Sequence, residues 1–249
     1  MERTPASRRR NRLLLAVVLA WAVLLTGLGI WYSFTGRPTD REQTTVAQAQ
    51  PVVDEAITAA IQAAVPAALP AISGYAKVAD CHVTPVRSGA RFERTVRLFT
   101  AVGAEPALLD RIAAGLPAAY HARVNTTQHS LSADAGFYVA VTGATPVPGL
   151  VTVKAATGCR TLGHEPTADP SAPAPADPLG VSGTWHLHAL PCGLRTREVT
   201  GPAGRPVDGL PRPGALVATG GVYADRGTGY AARLDGDTVT ASVTSGICR

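Results

Sequence analysis

The first hydrophobic block of the chain is residues 13–32, LLLAVVLAWAVLLTGLGIWY, twenty positions without a charge. At about 1.5 Å per residue, a helix of this length spans about 30 Å, the thickness of bilayer hydrocarbon. The pattern therefore predicts a transmembrane helix over residues 13–34. Trp31, Tyr32 and Phe34 stand at its far end, where amphipathic aromatic rings settle at a membrane boundary. The rival reading, a cleaved secretory signal, needs a shorter apolar core with a small-residue site close behind it. Here the nearest match, Ala47-Gln48-Ala49, comes some fifteen residues after the apolar run.

After this block the pattern turns polar. Residues 35–51 have no hydrophobic period and are expected to form a stalk. Val53, Ile57, Ile61 and Val65 then recur every four residues beside a polar stripe of Asp54, Thr58 and Gln62, which predicts a helix opening near residue 53. Asp54 and Glu55 would sit in its first turn, where the helix dipole favours acids. Residues 75–84 and 92–102 read as strands. The second turns Phe92, Val96, Leu98 and Val102 inward, with Ser88-Gly89 marking the turn between the two. A second helix starts at Glu105-Pro106, carries Leu108, Leu109, Ile112, Ala113 and Leu116 on one face, and stops at Pro117. Strands at 120–125, 137–142 and 151–156 complete an α+β module, residues 52–162, with an antiparallel sheet and one or two helices.

Five prolines among alanine, aspartate and serine in residues 163–182 predict an extended, solvated linker. Beyond it, residues 183–249 hold only short β-rich runs, at 185–189, 197–200, 216–219, 229–234 and 238–244. Asp235-Gly236 supplies a hairpin signal, and the second module should be a small all-β sheet.

Charge sharpens the topology. The net charge is +5, but residues 1–12 hold five arginines and one glutamate, leaving about +1 for the remainder. The positive-inside rule keeps residues 1–12 in the cytoplasm as a tail and places the rest outside the cell membrane, a single-pass arrangement. The basic balance is thus a topogenic signal, and no nucleic-acid partner is expected. The arginine-rich, Ala/Gly/Pro-rich composition resembles that of high-GC bacteria, actinobacteria among them.

All four cysteines, Cys81, Cys159, Cys192 and Cys248, fall in the exported part, where an even number reads as two disulfides. An internal match chooses the pairing. Ala133-Asp134-Ala135-Gly136 precedes FYVAVTG, LVTVKAATG and Cys159-Arg160, while Ala224-Asp225-Arg226-Gly227 precedes GYAARLDG, TVTASVTSGI and Cys248-Arg249. Each copy also has an upstream cysteine and a Leu-Pro pair, Leu116-Pro117 and Leu210-Pro211. A degenerate repeat of this kind joins Cys81 to Cys159 and Cys192 to Cys248.

Candidate chemistry is sparse. The chain has no Gly-x-Ser-x-Gly elbow, P-loop, His-Glu-x-x-His or dinucleotide glycine motif. His186 and His188 alternate on an expected strand and share a face, but a zinc site needs a third ligand that the sequence does not place near them. Asp134 is the one catalytic candidate, equivalent in the repeat to Asp225. Either the two carboxylates converge for acid–base work, or each caps the backbone of an Ala-Asp-x-Gly turn whose glycine takes a positive φ. Arg160 and Arg249, next to cysteines, are read as solvated. No cofactor is expected.

The expected function is a membrane-anchored extracytoplasmic binding module without catalysis. Its partners are the lipid bilayer through residues 13–34 and an envelope protein, peptide or cell-wall component. The alternatives are an anchored extracytoplasmic hydrolase using Asp134 or a histidine, and a bitopic signalling or divisome-type protein. A twelve-residue tail leaves little to carry a cytoplasmic message.

Overall fold

The computed structural model describes residues 5–35, 44–211 and 213–248. The first residues of the expected tail, residues 36–43 of the expected stalk, Arg212 and Arg249 lie outside these. Helix α1 covers Pro5–Thr35. Within it, Leu14–Tyr32 is long and apolar enough to cross a membrane or to act as a signal sequence, and none of it is buried against the rest of the protein. The hydroxyl of Thr26, in the middle of the apolar run, donates to the Ala22 carbonyl one turn back at 2.7 Å.

Helix α2, Val46–Ala64, begins seven residues before the expected start. Thr45 and Gln48 form a capping box, the Thr45 hydroxyl accepting from the Gln48 amide and the Gln48 side chain accepting from the Thr45 amide. The Val46 amide is also tied to the Thr161 carbonyl at 2.9 Å. Val46 and Ala49 are fully buried, so the end of the expected stalk belongs to the folded part. Asp54 consequently sits in mid-helix and not in the first turn.

The first sheet consists of β1 Leu69–Thr84, β2 Arg87–Phe99, β3 Arg123–Asn125, β4 Ser130–Asp134, β5 Ala140–Val147 and β6 Leu150–Ala156. Helix α3, Glu105–Gly115, lies between β2 and β3. The β1–β2 turn is Pro85-Val86, and Ser88 and Gly89 fall inside β2. The expected strand at 137–142 starts later, because Phe137 and Tyr138 take positive φ values of 50° and 58° in the β4–β5 turn. The second sheet consists of β7 His186–Ala189, β8 Arg195–Gly201, β9 Val217–Thr219, β10 Val222–Asp225, β11 Tyr230–Asp235 and β12 Thr238–Ser245. Strands β4 and β10 have no counterpart in the sequence reading. The architecture is α+β, with two antiparallel sheets.

The sheets have the same topology. The first runs β1-β2-β6-β5-β4-β3 and the second β7-β8-β12-β11-β10-β9, the same order with each strand shifted by six. Where the first sheet inserts α3, the second has only a short 3-10 turn, Val207–Gly209.

Burial explains how the layers stack. One face of the first sheet packs Val96, Leu98, Leu131, Val141 and Val153 against Ile57 and Ile61 of α2 and Leu109 and Ile112 of α3. At one end the opposite face is covered too: Leu69, Ala71, Phe99 and Leu150 share a cluster with Val217, Val222, Ala224 and Ala231 of the second sheet. The other side of the second sheet buries Trp185, Val199, Tyr223, Tyr230 and Val239 under Leu179 and Val181. Those last two residues come from the Pro-rich segment. Most of that segment is extended and open to solvent, but it is tied down in two places: Leu179 and Val181 are buried, and Ala172 donates to the Trp185 carbonyl and Leu187 to the Pro170 carbonyl, so residues 170–172 pair beside β7. Both expected modules are present as sheets, and the two sheets share a core at their junction.

Candidate functional site

The structure places the cysteines as the repeat predicts, with Cys81 bonded to Cys159 and Cys192 to Cys248. Asp134 accepts from the Gly136 amide at 2.9 Å, and Gly136 takes a φ of 81°. Asp225 accepts from the Gly227 amide at 2.8 Å and from the Thr228 hydroxyl at 3.0 Å. Both carboxylates therefore cap their own turns, the arrangement in which aspartate satisfies backbone amides. In the second copy the positive φ moves two residues on, to Gly229. His188 is buried, its Nδ1 3.0 Å from an Asp169 carboxylate oxygen, while His186 faces solvent near the Asp169 carbonyl. Among the described residues no group of three or more His, Cys, Asp or Glu side chains is arranged to hold a metal ion. Arg160 is buried and not solvated, held by the Thr157 carbonyl and the Thr44 hydroxyl.

Sequence reading missed a buried polar cluster at the meeting point of the two sheets. Arg94 occupies an inward position of β2, between Phe92 and Val96, and is 3% exposed. Its guanidinium donates to the Asp54 carboxylate at 2.6 Å, the Ser73 carbonyl at 3.1 Å and the Ala189 carbonyl at 2.8 Å. It also lies over the Tyr75 ring, 5.1 Å from the centroid. The Tyr75 hydroxyl donates to Asp54 at 2.7 Å. Burial first, then the Asp54 carboxylate, pushes the Tyr75 hydroxyl well above its ordinary pKa. One arginine thus ties α2, β1, β2 and β7 together. The signal for it was present in the alternation of β2, which puts residue 94 on the apolar face.

One of several concave features lies on another side of the same junction. A cleft of about 340 Å³ is walled by Ile61, Val65, Leu69 and Pro70 from the first unit and by Leu194 and Ile247 from the second. Residues 226–229, the β10–β11 turn, form one rim, so the Asp225 cap that holds this turn also shapes the cleft. Two glycines set its floor. A Cβ on Gly229 would lie 2.3 Å from the Thr244 carbonyl oxygen, and one on Gly246 2.5 Å from the Gly193 carbonyl oxygen. Both take positive φ, so backbone approaches backbone there as no L side chain permits. At the rim Val65 is 43% and Ile247 58% exposed, leaving apolar surface in contact with water. Such an arrangement, concave and apolar at a junction with few polar groups, suits ligand capture.

The chain matches no family model, no curated protein and no solved structure.

Proposed function

We propose that this chain is a membrane-tethered extracytoplasmic binding protein that receives its ligand in the cleft between the two sheets. One observation carries the reading: the cleft is built jointly by both units and opens apolar walls to solvent. The unburied helix Leu14–Tyr32, the arginine-rich residues before it and the two disulfides support an anchor with the folded part in an oxidising space.

Two experiments test it. A photoreactive amino acid at Val65, irradiated in intact cells, should capture a discrete ligand, whereas the same residue at the exposed Asp110 should not. Equal capture at both positions sinks the cleft as the binding site. For topology, an export-dependent reporter should be active when fused after residue 248 and inactive at residue 2. The reverse pattern, or a mature chain lacking residues 1–35, removes the anchor.

A further inference from the structure

The chemistry of the cleft points to a class of ligand, an inference that rests on the binding reading above. Its lining is mostly apolar, with the Thr228, Thr244 and Ser245 side chains among it, and among the described residues it carries one cation, Arg226, exposed on the β10–β11 turn. Among the described residues Arg226 has no ion pair or hydrogen bond. The neighbouring carboxylate, Asp225, is committed to the Gly227 amide and the Thr228 hydroxyl. A mostly apolar slot with the unpartnered Arg226 guanidinium at its mouth is complementary to an amphiphile: hydrocarbon for the apolar walls, one anionic group for the arginine. The volume, about 340 Å³, is at the lower end of small-molecule pockets and suits one chain rather than two.

The tether favours a membrane source. Residues 36–43 separate Thr35 at the end of α1 from Thr44, and a fully extended chain of that length reaches only about 30 Å. If α1 spans the bilayer, the folded part is confined to the neighbourhood of the outer leaflet.

We infer that the cleft binds a single-chain anionic amphiphile, an acyl or alkyl chain ending in a carboxylate or phosphate, taken from the adjoining membrane surface. The chain lies along Ile61, Val65 and Leu69, and the head group pairs with Arg226. Each methylene reaching the wall tightens binding about fourfold until the cleft is full.

The test uses the full chain in nanodiscs of zwitterionic lipid, with ten-carbon probes carrying a diazirine and ending in carboxylate, phosphate, hydroxyl or ammonium. Peptide mapping should find the anionic probes on residues 61–70 and 244–248. Carboxylate against phosphate then distinguishes a fatty acid from a lysolipid-type source. Arg226→Gln should lower anionic labelling about threefold to fivefold, to the level of the alcohol, because one exposed charge pair is worth no more. Val65→Trp, a change at a half-exposed position, should abolish labelling by all probes, and circular dichroism checks that it still folds. Unlabelled carboxylates of six to twelve carbons should compete in order of length. Equal labelling by the ammonium probe, label confined to residues 13–35, or no effect of Val65→Trp overturns the proposal. So does stronger competition by an apolar peptide with a free carboxylate, which would make the ligand a protein tail. If Val65 still captures a ligand in cells while these probes fail, the amphiphile is wrong and the binding reading stands.

Discussion

Arg94 shows what a single residue does in this fold. A guanidinium that is 3% exposed is tolerated because Asp54 and two carbonyls from different elements satisfy it. Removing one partner of such a pair leaves the other charge stranded. Arg94→Ala is therefore expected to destabilise by about 3 kcal/mol or more in urea unfolding, and Arg94→Leu with Asp54→Asn by clearly less. A loss below about 1 kcal/mol would show the cluster to be dispensable. Tyr75 makes a pH prediction. Its hydroxyl, like that of Tyr230 beside Asp177, titrates above the ordinary value of 10.0 because of burial first and an adjacent carboxylate second. The folded state then holds these protons more tightly than the unfolded state. Stability should be level up to about pH 10 and fall as pH rises beyond it, with a shallower fall in Tyr75→Phe and Tyr230→Phe. A urea midpoint that stays flat to pH 11 would contradict this assignment.

At the scale of elements, the start of α2 rests on Thr45. Its capping box satisfies amides that the helix cannot, and the buried Val46 follows at once. Thr45→Ala should cost about 1 kcal/mol and increase amide exchange over residues 46–49, with little change at residues 57–61. The β10–β11 turn offers a second test. Asp225→Ala frees the Gly227 amide and the Thr228 hydroxyl, which line the cleft. It should weaken ligand capture at Val65 while leaving the unfolding free energy within about 1 kcal/mol of the parent. Asp134→Ala, the same change in a turn that does not line the cleft, should leave capture unaltered.

The whole molecule is held by shared surface between its sheets. The mixed cluster of Leu69, Phe99, Leu150, Val217, Val222 and Ala231, with the Arg97–Glu198 ion pair and the Ile72 amide on the Thr196 hydroxyl, crosses the junction. Calorimetry should accordingly show one transition for residues 44–249, and two well-separated transitions would mean that the sheets fold independently. The disulfides close long stretches, with sequence separations of 78 and 56 residues. Replacing either pair with serine should cost up to about 4 kcal/mol, chiefly through the greater freedom of the unfolded chain.

Much of this was legible in the sequence, for local physical reasons. Twenty uncharged apolar residues, a four-residue period, a proline-started helix and short β-branched runs fix elements through propensity and pattern, and the spacing of like segments fixed the cysteine pairing. What stayed hidden depends on residues far apart in the chain. The start of α2 needed Thr161 to meet Val46. The Pro-rich segment looked solvated because its five prolines favour an extended chain, yet β7 offered part of it an edge and the second core took in Leu179 and Val181. Asp134 and Asp225 looked equivalent, and only packing put the turn held by one of them at the rim of a cleft. The sequence by itself determined the apolar helix, the α+β class and the disulfide partners, since these follow from periodicity and order along the chain. The tertiary structure alone decided that the two sheets share a core, that Arg94 is buried between them and that their junction leaves a cleft. Those features arise where side chains distant in sequence exclude water together, and no local pattern records that meeting.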